Sequence, residues 1–114
     1  MTEERRIKKR EAKKRFERTS KGLVGKIYGH QKNHCKQRGH EQPSYERVEL
    51  QQWCEAQKIW WEIFERWVAS GYETPLKPSL DRVDSALSYT FENLQVMTWK
   101  GNYTKGAHER WAKI

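Results

Sequence analysis

"KPSLDRVDSALSYTFENLQVMTWKGN", residues 77–102, is where the hydrophobic period of this chain changes. Before it, apolar residues recur at steps of three and four; from Ser79 onward they alternate, as in a strand with one face covered. Leu80 and Val83 border a short strand, "DSALS" (84–88) reads as a turn, and Leu94, Val96 and Trp99 form the apolar side of a second strand or extended segment. Thr98 is placed to N-cap a last helix starting near Trp99, with Asn102 in its first turn. A strand–loop–strand–helix unit closing an otherwise helical chain predicts an α+β fold with a mainly helical N-terminal part.

Working back from that unit, residues 57–69 predict the clearest helix, because Ile59/Ile63, Trp60/Phe64 and Trp67/Val68 repeat at helical steps. The Trp60–Trp61 pair invites a base-stacking reading, but the stripe favours a core role for Trp60, with Trp61 more open. "ASGYETPLKP" ends this helix at Gly71 and supplies a loop with Pro75 and Pro78. Upstream, Ser44 is the expected cap of a helix beginning at Tyr45 or Glu46, with Val48, Leu50, Trp53 and Cys54 as buried positions. Another helix is expected to run to about Arg38 through Leu23, Ile27 and Tyr28, although Gly22, Gly25 and Gly29 weaken its pattern. Residues 3–18 are rich in helix formers and are broken by "TSKG" (19–22), where Thr19 or Ser20 can cap the next helix.

At 114 residues the chain is one domain in size, and six Trp, five Tyr and three Phe can hold a small core despite a charged content of 33%. Its charge is uneven. Residues 1–40 carry fourteen Lys and Arg against four Asp and Glu; residues 41–114 carry nine against eleven. The basic excess belongs to an N-terminal arm, residues 1–20, ahead of a single globular domain at 21–114. A segment such as "RRIKKREAKKRFER" must face solvent or a polyanion, since burying those cations unpaired is costly. Nucleic acid fits best, through neutralised phosphates and released counterions. The alternative is a solvated helix with no partner. Ile7, Ala12 and Phe16 make too thin a stripe for a membrane-surface helix. No stretch has the length of a transmembrane span or the apolar core of a signal peptide, so the expectation is a cytosolic protein without a membrane partner. Cys35 and Cys54 have no close-pair spacing, which suggests neither a zinc ribbon nor a disulfide framework.

The stretch "LDRVDSALSYTFENLQVMTWKGN" resembles the ββα-metal finger of HNH (His-Me finger) nucleases, in particular the small free-standing HNH proteins of bacteriophages, many of them homing endonucleases. The likeness covers residues 77–108 closely, with the finger itself expected at about 77–112; the preceding helices match only in pattern. It rests on the Asp pair, on an Asn-Leu nine residues before another Asn, and on the Trp-Lys where the helix begins. The resemblance implies a metal-dependent DNA endonuclease acting on double-stranded DNA, in a bacterial host's cytoplasm if phage-encoded. By position it implies Asp81 as the acidic metal ligand, Asn93 as a brace for the loop, and Asn102 as the helix-borne residue completing the metal site. Two oxygen donors suit Mg²⁺ or Mn²⁺. DNA contacts are expected from Arg5, Arg6, Lys8, Lys9, Arg10, Lys13, Lys14 and Arg15 of the arm and from Lys100 and Lys105 of the finger.

One departure matters. Arg82 stands where the family usually carries the His that activates the attacking water, and an Arg cannot act as a base. It can clamp a phosphate oxygen and stabilise transition-state charge. The proton must then go elsewhere, to Asp84, His34 or His40. Asp84 could instead start the turn through an Asx-type bond, and Asp81 and Arg82 could be a plain surface ion pair. His30 and His34 share the i, i+4 spacing of a zinc pair, yet no carboxylate accompanies them at metalloprotease spacing. The missing His also leaves room for a second class, a DNA-binding protein that keeps the finger without cleavage. A third, supported only by charge and aromatics, is an RNA-binding adaptor. Recognition sequence and oligomeric state are open at this point.

Overall fold

The computed structural model describes residues 2–104. It is an α+β fold: helices α1 (Glu3–Glu17), α2 (Ser20–Arg38), α3 (Arg47–Glu55) and α4 (Lys58–Ala69) precede an antiparallel hairpin of β1 (Pro78–Arg82) and β2 (Leu94–Thr98). A fifth helix, α5, starts at residue 99 and is described through residue 104. The expected helical end of the finger beyond that point lies outside the described residues. So does Lys105.

Local chemistry sets most boundaries. Thr19 accepts the Gly22 N–H at 3.1 Å through its hydroxyl, so α2 starts where a cap is expected, and Gly39 at φ 66° closes it in the left-handed region. The hairpin register pairs Leu80 with Val96 and Asp81 with Gln95. Thr98 caps α5 by accepting the Gly101 N–H at 3.1 Å, and the Trp99 N–H donates to the Lys77 carbonyl at 2.7 Å, which binds the start of α5 back onto the hairpin. The α3 boundary differs from expectation. Glu46, not Ser44, is its N-cap, and the Glu49 carboxylate accepts the Glu46 N–H at 2.9 Å. Ser44 is used across the fold instead, donating its backbone N–H to the Tyr89 carbonyl at 3.1 Å.

The core is aromatic. Leu23 and Val24 of α2, Leu50 and Cys54 of α3, Trp60 and Trp67 of α4, and Leu80 and Leu94 of the hairpin are buried together. The Trp60 indole N–H donates to the Ser20 hydroxyl at 3.1 Å, and that hydroxyl donates to Glu55 at 2.7 Å, so one buried ring links three helices. A second stack runs Tyr45–Phe91–Trp53, with centroids 4.7 and 5.6 Å apart and nearly parallel planes, and joins the hairpin loop to α3. Burial pushes the Cys54 thiol up to about 12, so it behaves as a small apolar group. Val48, Ile59, Val68, Val83 and Trp99, expected to be buried or on an apolar face, are exposed. The reason is angular. Leu50/Cys54 and Trp60/Ile63/Trp67 already occupy the inward stripes of their helices, and Val83 follows the last paired residue of β1.

Helix α1 buries no residue along its length. Among the described residues, its contacts are made at its C-terminal end. Glu17 pairs with Lys26 at 3.6 Å, the Arg18 guanidinium lies 4.0 Å from the Tyr72 ring centroid, and a Cβ at Gly22 would collide with the Phe16 carbonyl. Tyr72 adopts φ 67°, uncommon for an aromatic residue, and this conformation sets its ring edge-on to Trp67 at 5.1 Å while it receives Arg18.

Candidate functional site

The hairpin loop is organised by Asn93. A short 3-10 turn, Phe91–Asn93, delivers this residue to the start of β2. Its side chain is buried, and it accepts the Asp84 N–H at 2.9 Å while donating to the carbonyls of Asp84 and Ser88, each at 3.0 Å. One carboxamide therefore ties down both arms of the loop. Asp84 serves that turn: its carboxylate accepts the Ala86 N–H at 2.9 Å, an Asx turn, and the residue is exposed.

Arg82 ends β1 with its guanidinium donating to the Leu87 carbonyl at 3.2 Å and lying 4.9 Å from the Tyr89 ring centroid. This fixes a cation on the side of the hairpin that faces α2. Burial raises the Tyr89 hydroxyl pKa; Arg82 opposes the rise and Asp81 adds to it, so both charges reach that ring. Across from it, the His34 imidazole of α2 meets Tyr89 edge-on at 6.3 Å. Burial first, then Arg38, Arg82 and His40, lower the His34 pKa below its ordinary 6.5, so the ring is neutral at pH 7. Its Nε2 is buried without a hydrogen-bond partner among the described residues. His40, the other histidine considered as a base, is exposed just past the end of α2.

Asn102 is placed by α5. Its amide nitrogen donates to the Ser79 hydroxyl at 3.0 Å and reaches the Leu80 carbonyl at 3.4 Å. Strand alternation puts Asp81 on the same face of β1 as Ser79, two residues on. Helix and strand are thus joined at the residue beside Asp81. A carboxylate and a carboxamide oxygen are hard donors of the kind Mg²⁺ accepts while keeping most of its waters. Among the described residues no group of three or more His, Cys, Asp or Glu is arranged to hold a metal.

Between α2 and the hairpin runs a cleft of about 300 Å³ lined by His30, Gln31, His34, Ser79, Tyr89, Trp99 and Asn102, with Ile27 and Leu80 as its apolar part. Asn102 and His34, far apart in sequence, share it; Asp81, Arg82, Asp84, Asn93 and His40 do not line it. Gln31, Ser79 and Tyr89 were not singled out from sequence. For Gln31 a signal existed, a polar residue at an inward position of α2; for the other two there was none.

The cationic residues of the arm, Arg5, Arg6, Lys8, Lys9, Arg10, Lys13, Lys14 and Arg15, are all exposed on α1, and Lys100 is exposed on α5. Among the described residues no helix is long and apolar enough to cross a membrane. No known family's sequence profile, no curated protein and no solved structure matches this chain.

Proposed function

We propose that the hairpin and α5 form an HNH-type ββα-metal finger and that this protein is a metal-dependent DNA endonuclease. The observation that carries the reading is the Asn102–Ser79 bond, which brings the helix-borne carboxamide to the strand that bears Asp81. Asp81 and Asn102 would hold Mg²⁺ or Mn²⁺, which when bound would neutralise charge on the scissile phosphate and on the leaving oxygen. Asn93 keeps the loop in place. Arg82, a permanent cation, receives a phosphate oxygen as charge builds up. His34 is the proton acceptor, because it is the neutral imidazole in the cleft that Asn102 also lines. The cations of α1 and Lys100 supply backbone affinity for the duplex.

The test is supercoiled plasmid incubated with Mg²⁺ or Mn²⁺ and, in parallel, with excess chelator. Nicking is expected only with the metal; Asp81→Ala and Asn102→Ala should abolish it and leave binding intact, while Arg82→Ala should slow it by roughly 10²–10³-fold. The pH profile adds a second readout. A histidine whose pKa is lowered by folding is the competent base when neutral, so the rate should fall as pH drops through a midpoint below 6.5, and His34→Ala should remove that limb. The same shift makes the neutral ring stabilising above the unfolded pKa, a contribution lost as pH falls through the folded one.

A second reading, a DNA-binding protein without cleavage, is favoured by the Arg82 contacts, since its guanidinium is already engaged by Leu87 and Tyr89. Wild type and Arg82→His both inert on every DNA with either metal would establish it in place of the first.

A further inference from the structure

A groove of about 200 Å³ lies between α2 and the start of the hairpin, walled by Lys26, Lys77 and Trp99 over an apolar floor of Leu23, Ile27 and Pro78. It shares Ile27, His30, Ser79 and Trp99 with the cleft described above, so the two adjoin and together make a channel lined from Lys26 and Lys77 at one end to Asn102 at the other. Lys26, ion-paired with Glu17 at 3.6 Å, stands near Lys77: burial and Lys26 lower the Lys77 pKa and Glu17 opposes them, so the two lysines and one carboxylate leave a net positive charge at this end.

Two features of this channel are only partly satisfied among the described residues. The first is Trp99, 43% exposed on a strongly polar chain and stacked on Tyr103 at 5.4 Å with planes 9° apart, which stiffens the ring and leaves it open to solvent. The second is Gln31, only 5% exposed. Its amide oxygen accepts the Tyr45 hydroxyl at 2.6 Å, and its amide nitrogen, in a residue lining the cleft, is buried without a hydrogen-bond partner among the described residues. A buried donor left unsatisfied costs on the order of 1–3 kcal/mol and is the kind of group a ligand acceptor completes.

From these features we infer that the channel takes an unpaired nucleotide of the substrate strand, next to the phosphate that Asn102 and Asp81 approach. An aromatic face for stacking, an inward amide donor for a base carbonyl or ring nitrogen, and two lysines for the adjoining phosphate are the complement of a nucleotide with an exposed base. A fully paired duplex keeps its base faces stacked and its pairing edges engaged, so it can use the lysines but not Trp99 or Gln31. The inference deepens the nuclease reading and rests on its choice of DNA; it makes the substrate class a duplex carrying an unpaired nucleotide, such as a bulge or a flap.

Binding of the full chain is measured in chelator, where no cleavage occurs, by anisotropy on two labelled duplexes that differ by one unpaired nucleotide. Wild type should prefer the unpaired-nucleotide duplex by roughly 5- to 100-fold, the range expected for one base stacked on an aromatic ring. Trp99→Ala should erase that preference and leave paired-duplex affinity unchanged, Trp99→Phe should retain most of it, and Lys77→Gln should weaken binding to both duplexes. Equal wild-type affinity for the two duplexes, a weakening by Trp99→Ala that both duplexes share, or no binding to either overturns the inference. Plasmid nicking with Mg²⁺ is read separately, so a nuclease that lacks the preference remains a nuclease.

Discussion

Helices α1 and α4 are of similar length, and they are held in opposite ways. Helix α4 buries Trp60, Ile63 and Trp67 along one stripe and touches α3 and both strands of the hairpin; α1 buries nothing and is held at one end by an ion pair, a cation–ring contact and a close backbone approach at Gly22. The difference follows from where the apolar residues fall. Three inward aromatics and aliphatics per two turns remove enough surface from water to fix a helix against its neighbours, whereas Ile7 and Phe16 stand nine residues apart with charges between them. Burial and charge are therefore divided: the core cluster contains no residue of α1, and the cations of α1 face solvent.

That division can be broken most directly at Trp60. Trp60→Ala empties a fully buried site and severs the chain of bonds through Ser20 to Glu55; a loss of about 3–5 kcal/mol is expected in urea unfolding. A variant that unfolds like wild type would mean that α4 is not what secures the core. Next in size is Asn93→Ala, which strips partners from one backbone N–H and two carbonyls of the hairpin loop. Stability should fall by about 1–3 kcal/mol, and nicking should fall further than stability alone explains, because the loop also sets the end of β1. Unfolding and plasmid assays on the same preparation separate the two effects.

On the arm the expected numbers are smaller. Arg18→Ala removes the cation from the Tyr72 ring and should cost about 0.5–1 kcal/mol in thermal unfolding. Deleting residues 2–14 leaves Glu17, Arg18 and the close approach at Gly22 in place, so stability should change by less than about 0.5 kcal/mol. The same deletion should flatten the slope of log affinity against log salt by roughly one for each phosphate the arm no longer neutralises. A truncated chain with an unchanged slope would show that α1 does not touch DNA, and a large loss of stability would remove the contrast with α4.

Much of this fold is legible where a local rule acts alone. The cap at Thr19, the cap at Thr98, the inward face around Trp60 and the two-strand period after Ser79 each depend on residues within a turn or two, and each stands where the sequence places it. Expectation and structure part where two apolar residues compete for one face. Val48 and Val68 have the same apolar character as their buried neighbours, and only the positions of adjoining helices decide which of them is covered. At the candidate site, Asp81, Asn93 and Asn102 could be picked out because they lie within one segment, and His34 of α2 could be named as one of three possible bases, whereas the seating of α2 against the hairpin could not be read.

What the amino-acid order determined by itself was the helical body, the hairpin with its turn, and the concentration of cations in the first helix, all consequences of short-range periodicity and charge. Tertiary structure alone decided that His34 and Gln31 line the cleft with Asn102, that Arg82 rests on Tyr89, and that Trp99 is open to solvent. The physical reason is distance along the chain. Residues dozens of positions apart meet only after Trp60 and the Tyr45–Phe91–Trp53 stack have set the helices against the hairpin, and no local preference of a histidine or a glutamine records that meeting.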